Sequence, residues 1–433
     1  MFRYLLCSFA LVLIYPLGID LYLVGLPDIA RDLNASPADL HVAFSIYLAG
    51  MASTMLLAGW FADHVGRKPV ALMGAATFAI ASWYAANSVT VDYFLFARFG
   101  QGVGAGFCYV VTFAILRDTL DDDKRAKVLT MINGITCIVP VLAPVIGHVI
   151  LMRFEWSSLF FSMAIMAMLI FQLCLFILKE TKPRFIEAPH TNTNTNTQSE
   201  NSFNQADDHK VNVYNEATQK SNNESLASRL FISRLVTTSL AVTAILTYVN
   251  VSPMLLMEQM GYSTGEYSAA MAGLAAISMS TAFLAPKLLT HFGQQKIMLA
   301  SQCLFISSAA VLMAGYQFKL DSGVILLGIS LICAGFSIGF GTAMSQALSP
   351  FSRRAGMASS VLGISQIACS AAYITLMGWL GMSALNMLIF LLLLAGVSSI
   401  ILLLVVPSVT ASCNKLTHQI SEPSSNDKIP ASS

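Results

Sequence analysis

Runs of about 20 mostly apolar residues recur twelve times along this 433-residue chain. As an α-helix each run rises ~30 Å, the thickness of a bilayer's hydrocarbon core. A water-soluble fold has no use for that much apolar surface. Hydrophobic residues make up 56% of the chain and charged ones 11%, less than half the charged share of ordinary soluble domains. The runs are continuous rather than alternating, which selects helices over barrel strands. The expected fold is an all-α polytopic membrane protein of twelve transmembrane helices in two six-helix bundles.

The expected spans are Tyr4–Val24, Leu40–Ala62, Val70–Asn87, Tyr93–Leu116, Val128–Ile150 and Ser157–Leu178, then Phe231–Ser252, Glu266–Pro286, Lys296–Tyr316, Ser322–Ser345, Gly356–Trp379 and Ala384–Val406. They divide the chain into an N-terminal bundle (1–178), a central loop (179–230), a C-terminal bundle (231–406) and a tail (407–433). The central loop contains an alternating Thr-Asn tract, Thr191 to Thr197, with many further Asn, Ser and charged residues. It cannot bury a core and is expected to be disordered, as is the tail. The first run is longer than a signal-peptide core and lacks an Ala-x-Ala cleavage pattern, so it stays as a span.

The net charge of +1 points to no acidic partner, and no compact domain offers a basic face to nucleic acid. Charge placement carries the information. With the chain's start on the cytoplasmic side, inside segments hold 20 of the 24 basic residues and outside loops hold only Arg31, Arg153 and Lys319; Arg98 lies within a span. That asymmetry makes both termini cytoplasmic. The eight cysteines are scattered without ligand spacing and read as packing residues.

The halves echo one another. Gln101 to Gly106 parallels Ala334 to Gly339, each with glycines four apart, and Asp63-His64-Val65-Gly66-Arg67 lines up with Thr290-His291-Phe292-Gly293-Gln294. A duplicated six-helix unit is a common transporter plan. In the second copy Thr290 replaces Asp63, Gln294 replaces Arg67 and Leu331 falls opposite Arg98, so ion chemistry is expected in the first half.

Asp20 is the one acidic residue well inside a run. A carboxylate there is costly and by default functional; the plainer reading is that it lies near the outer end of its helix and reaches interfacial water. Counted along the helices, Arg98 stands at nearly the same depth. Desolvation raises a carboxylate's pKa and a nearby cation lowers it. If their separation or wetting changes between conformations, Asp20 can load and release a proton. A static ion pair is the alternative.

The loop from Gly59 to Pro69 supplies a small residue for close helix approach (Gly59), an acid at a helix end (Asp63), a glycine turn (Gly66) and a basic pair (Arg67, Lys68). Mechanically this is a latch. It matches the GxxADxxGRK signature, and Arg98-Phe99-Gly100-Gln101-Gly102-Val103-Gly104-Ala105 the RxxQGxGA motif, of the major facilitator superfamily, which the chain resembles over essentially its whole length. Ile19-Asp20-Leu21-Tyr22-Leu23 resembles the first helix of that superfamily's Bcr/CflA branch of drug:proton antiporters. The resemblance implies a bacterial inner-membrane antiporter that acts as a monomer. It would export small lipophilic drugs and antibiotics, chloramphenicol-type compounds included, against inward protons, with no cofactor beyond the proton gradient and no metal. It further implies that Arg117 and Asp118 complete the latch and that Arg98 serves proton transfer. The fifth-helix antiporter motif is represented by Gly134, Pro140, Pro144 and Gly147, with Ala143 and His148 in place of two motif glycines. His148 is read as solvated or hydrogen-bonded rather than as a titrating group.

The 21 methionines and 26 phenylalanines suit an adaptable apolar cavity, for which Tyr22, Tyr47, Gln101, Tyr109 and Phe340 are the candidate lining residues. Arg353 and Arg354 read as topology signals. A proton-coupled transporter of a small metabolite is the nearest alternative, since one fold serves both directions. A membrane-embedded enzyme or sensor would need clustered polar residues in facing helices or a soluble domain, and ATP-driven transport a GxxxxGK[ST] stretch; none occurs.

Overall fold

The computed structural model describes residues 2–120, 128, 139–181, 226–318, 321–351 and 355–406, and its elements are helices. The first half comprises Phe2–Asp32, Pro37–Val65, Arg67–Ala86, Val91–Thr119, the described part of the fifth span at Val139–Leu151, and Ser157–Ile177. The second comprises Arg229–Gln259, Thr264–Phe292, Gln294–Gln317, Ser322–Leu348, Ala355–Trp379 and Ala384–Val405. Large apolar side chains, among them Phe96, Phe176, Phe283 and Trp379, point outward, as a lipid-facing surface requires. Gly134, Arg353, Arg354, the central stretch 182–225 and the tail from 407 lie outside the described residues.

Local chemistry sets the helix ends. The second and eighth spans are both 29 residues long, and both open with a capping box: Ser36 with Asp39, Ser263 with Glu266. Both stop at a glycine with positive φ, Gly66 at 116° and Gly293 at 80°, a conformation that a Cβ disfavours. These three positions correspond one to one between the two copies, so the repeat is carried by its stops as well as by its apolar runs.

The first span differs from the sequence expectation of one helix to Val24. Its α-helix ends at Asp20, a single 3-10 turn covers Leu23–Gly25, and a new helix runs from Leu26 to Asp32 with Pro27 in its first turn. Proline lacks an N–H and fits where a helix starts, not where one continues. The seventh span breaks at the corresponding level: its α-helix ends at Pro253 and six residues, Met254–Gln259, continue as a π-helix.

Within the first half the fourth span packs against the first, second and third, and the sixth against the first and third; the second half repeats the scheme. Among the described helices the halves meet where the second span runs along the eleventh and where the fifth meets the eighth. The end of the molecule bearing Arg67, Arg117 and Arg229 is the basic end, and the end bearing Asp32, Pro37 and Ser157 is the far end. Three side-chain hydrogen bonds join the halves among the described residues: His41 with Asn250, His148 with Thr264, and Ser268 with the Pro144 carbonyl. All three lie toward the far end.

Candidate functional site

Asp20 closes the α-helical part of the first span and is 3% exposed. No hydrogen bond or ion pair engages its carboxylate among the described residues. Five tyrosines stand within electrostatic range: Tyr15, Tyr22 and Tyr47 from the first half, Tyr248 and Tyr267 from the second. The acid therefore sits at the junction of the halves, on a helix break, where unwound backbone near mid-membrane is a recurrent setting for ion and substrate sites.

Arg98 is fully buried in the fourth span. Its Nη1 donates to the Gly18 carbonyl at 3.0 Å and to Gln101 Oε1 at 2.6 Å, and its Nε to the Ala43 carbonyl at 3.3 Å. Gly18 is two residues before Asp20, so the arginine does reach the acid's level. The ion pair is nevertheless absent. The guanidinium lies between the rings of Tyr22, 4.1 Å from the centroid, and Tyr47, 4.6 Å. Carbonyl dipoles and ring faces offset its charge in place of a carboxylate. Arg98 Nη2 and the Tyr22 hydroxyl are both buried and unpartnered. The guanidinium is thus accommodated in this conformation without an ion pair to Asp20, packed instead against two aromatic rings.

In this conformation three of the five expected lining residues are enclosed. Tyr22 and Tyr47 are wholly enclosed against Arg98, and the Tyr47 hydroxyl donates to the Tyr15 carbonyl at 3.0 Å. Gln101 is also enclosed; its oxygen holds Arg98 and its nitrogen donates to Ser82 Oγ at 2.7 Å. Orienting the base uses the whole amide. Tyr109 and Phe340 keep partial exposure, Tyr109 edge-on to Tyr15 and Phe113, Phe340 stacked on Phe336 at 4.8 Å.

At the basic end the latch residues converge. Arg67 Nε donates to Asp118 Oδ2 at 2.6 Å, both side chains almost fully buried, while Arg67 Nη2 lies 3.1 Å from the largely exposed Asp63 and Nη1 donates to the Ala62 carbonyl. Arg117 flanks both acids more loosely, at 3.9 and 3.6 Å. Lys68 Nζ donates to the Leu175 carbonyl at 2.7 Å. All of these groups belong to the first half, so the latch ties the turn between the second and third spans to the ends of the fourth and sixth. Gly59 departs from expectation: a Cβ there would meet nothing within 4 Å, so the position is open rather than a close approach.

Glu180, which sequence reasoning passed over, completes this cluster. Its carboxylate accepts from the backbone N–H of Arg67 at 2.8 Å and of Lys68 at 3.1 Å, capping the third helix where its dipole favours an anion. A Cβ on Gly66 would lie 2.6 Å from a Glu180 oxygen. Arg234 was also missed. It was counted with the cytoplasmic charges, yet it is fully buried in the seventh span, donating to Gln346 Oε1 at 2.7 Å, to Ser233 and to the Val406 carbonyl. Gln346 in turn donates to Gln294 at 2.8 Å. The second half thus holds its own basic end with neutral amides where the first uses carboxylates.

In the fifth span Pro144 is buried and Pro140 partly so, while Gly147 lets the helix rest on the Leu21 carbonyl beside the break in the first span. His148 is hydrogen-bonded, as expected. No metal-ligating cluster occurs among the described residues. A groove where the second and eleventh spans meet is lined by Ala49, Ala52, Ala368, Ala371, Ala372 and Thr375; it carries no ionisable group and belongs to helix packing.

The family model described as Major Facilitator Superfamily matches residues 8–375. A protein of Shewanella oneidensis called multidrug resistance protein MdtL is 52% identical over the full length of both chains. Its namesakes in Vibrio parahaemolyticus (53% identical) and Escherichia coli O157:H7 (52%) align over 94% of this chain and 96% of their own. Among solved structures, a D-xylose-proton symporter superposes with a TM-score of 0.73 at 15% identity, covering 94% of this chain and 98% of its own. An inward-open xylose transporter, XylE of Escherichia coli, gives 0.70, also at 15% identity, with 94% and 97% covered.

Proposed function

The chain belongs to the major facilitator superfamily, and from that premise we propose that it exports small lipophilic drugs and antibiotics across the bacterial inner membrane in exchange for protons. It is a multi-pass membrane transporter of the twelve-helix facilitator fold, not an enzyme. The full-length likeness to proteins named for multidrug resistance supports the substrate class. One observation carries the mechanism: Asp20 is buried at the junction of the halves with no counter-ion, facing tyrosines of both.

The proposal assigns proton loading to Asp20 and its control to Arg98. In the present conformation the base is held by Gly18, Ala43 and Gln101 against Tyr22 and Tyr47 and forms no ion pair with Asp20, so the carboxylate is free to carry a proton. When the break in the first span shifts during the cycle, Arg98 Nη2 pairs with the acid and lowers its proton affinity, so that the proton leaves. Residues 1–178 and 231–406 are the rocking bodies. Lys and Arg placement puts the basic end in the cytoplasm, which makes the present form, tied at its far end, inward-facing. The latch of Asp63, Arg67, Lys68, Arg117, Asp118 and Glu180 keeps the first body's cytoplasmic corner rigid. Tyr109 and Phe340 line the drug's path. Each proton crossing ~100 mV supplies ~2.3 kcal/mol, enough for a gradient approaching fifty-fold, so no nucleotide is needed; the working unit in this reading is a monomer.

The test is drug accumulation, with chloramphenicol among the compounds, in cells producing wild type or Asp20→Asn, with and without an uncoupler. Wild type lowers accumulation and the uncoupler reverses this; Asp20→Asn loses the uncoupler-sensitive part. Export by Asp20→Asn that still follows the pH gradient overturns the assignment of Asp20, and unchanged accumulation on producing wild type overturns the drug reading.

A further inference from the structure

The three ties between the halves share a plan. His41 of the second span lies with Nδ1 2.8 Å from Asn250 Nδ2 of the seventh, the amide donating, and its Cβ lies 3.1 Å from the Cβ position of Gly378 in the eleventh. His148 of the fifth span lies with Nδ1 2.9 Å from Thr264 Oγ1 of the eighth, and its ring stands 3.2 Å from the Cβ position of Gly265. One turn away Ser268 donates to the Pro144 carbonyl at 2.9 Å. Each histidine therefore reaches across to a neutral partner and is covered by a glycine of the opposite half. Counted from the matching capping boxes, Ser268 is the repeat counterpart of His41. The same position of the repeat thus bonds across to the other half in both copies, although to different spans, the seventh for His41 and the fifth for Ser268. His41 and Asn250 are 3% and 2% exposed, so that seam is dry.

The charged groups around the seam are engaged elsewhere or exposed. On the second and eighth spans Asp39 and Glu266 cap Ser36 and Ser263. Arg31 pairs with Asp28 and Asp32 at the end of the first. Glu258 is exposed on the seventh span, as are Arg153 and Glu155 beyond the fifth. Asp20, deeper in the first span, pairs with neither ring, and no carboxylate forms an ion pair with either histidine among the described residues. A proton on either imidazole would thus place a positive charge in the seam without a counter-ion, and separating the halves would restore its hydration.

We infer that His41–Asn250 and His148–Thr264 are the far-side gate of the transport cycle, and that protons from that side release it by charging the histidines. The inference rests on the alternating-access reading above, but not on the identity of the cargo. A periplasmic proton then has two destinations: the gate, which it opens, and Asp20 behind it.

The test uses the full chain in lipid nanodiscs, native cysteines replaced, with spin labels at Asn87→Cys and Gln317→Cys, one on the far end of each half. The distance distribution is recorded at about pH 8 and about pH 5.5, on either side of the ordinary imidazole range. Acid is expected to enlarge the long-distance population. His41→Gln with His148→Gln, which keep hydrogen-bonding capacity without titrating, remove that response. Asn250→Ala and Thr264→Val each shift the closed-to-open ratio roughly five-fold toward open at the higher pH, the effect of one lost hydrogen bond. An acid response that persists in the double glutamine variant overturns the proton-release part; distances unchanged by Asn250→Ala and Thr264→Val together overturn the gate. No drug is present, so a wrong cargo assignment leaves this outcome unaffected, and retained monodisperse elution of each variant excludes misfolding as the cause.

Discussion

Replacing Asp118 by asparagine preserves the side chain's size and removes its charge, leaving Arg67 Nε, 2.6 Å away, without its buried anion. The Arg67 side chain is 4% exposed and that of Asp118 5%, so water cannot substitute for the lost partner. Removing one member of such a pair costs ~3–5 kcal/mol. Asp63 lies 3.1 Å from the same guanidinium, but its side chain is 61% exposed, and screened contacts of that kind are worth ~0–1 kcal/mol. Glu180 falls between, since it is exposed yet accepts two backbone N–H bonds at a helix start. The expected order of destabilisation is Asp118→Asn, then Glu180→Gln, then Asp63→Asn. In detergent, thermal unfolding followed by loss of monodisperse elution should fall by roughly 5–10 °C for the first and by about 2 °C or less for the last. A double-mutant cycle with Arg67→Gln isolates the pair. Equal losses for Asp63→Asn and Asp118→Asn, or a coupling under about 1 kcal/mol between Arg67 and Asp118, would refute the claim that burial sets this order.

Gln101→Leu removes the shortest bond to Arg98 and should cost ~2–3 kcal/mol, measured by thermal shift; loss of proton-coupled export with the fold intact would identify Gln101 as a positioning residue, and wild-type behaviour in both assays would dismiss it. Gly102→Ala drives a Cβ into the Tyr47 carbonyl and should lower stability by ~1–3 kcal/mol, whereas Gly59→Ala meets open space and should be neutral or slightly stabilising. Paired thermal melts decide this, and a Gly59→Ala loss as large as that of Gly102→Ala would contradict the described packing.

The helical spans, their repeat and the basic-end cluster were readable because each depends on local pattern: apolar length, a capping box, a glycine turn. What escaped depends on where the chain returns in space. Glu180 stands in a polar segment after the sixth span, and nothing nearby signals that it faces the start of the third helix. Arg234 sits a few residues inside its span, where composition alone cannot tell a snorkelling arginine from a buried one. The depth match of Asp20 and Arg98 followed from counting along helices; the tyrosines packed on Arg98 did not, because ring placement is a tertiary matter. Pro27, two residues past Gly25, did signal the break in the first span, and reading twenty apolar residues as one straight helix overrode it.

The eighth span, 29 residues in one helix, also acts as a lever. At about 1.5 Å per residue it is ~44 Å long, so a pivot at mid-membrane leaves arms of ~22 Å on either side. A tilt of about 10° carries each tip ~4 Å, further than a hydrogen bond of about 3 Å can stretch and survive. Ties at the tips are therefore whole or broken, with little between, and equal arms make closure at one face and opening at the other the same displacement.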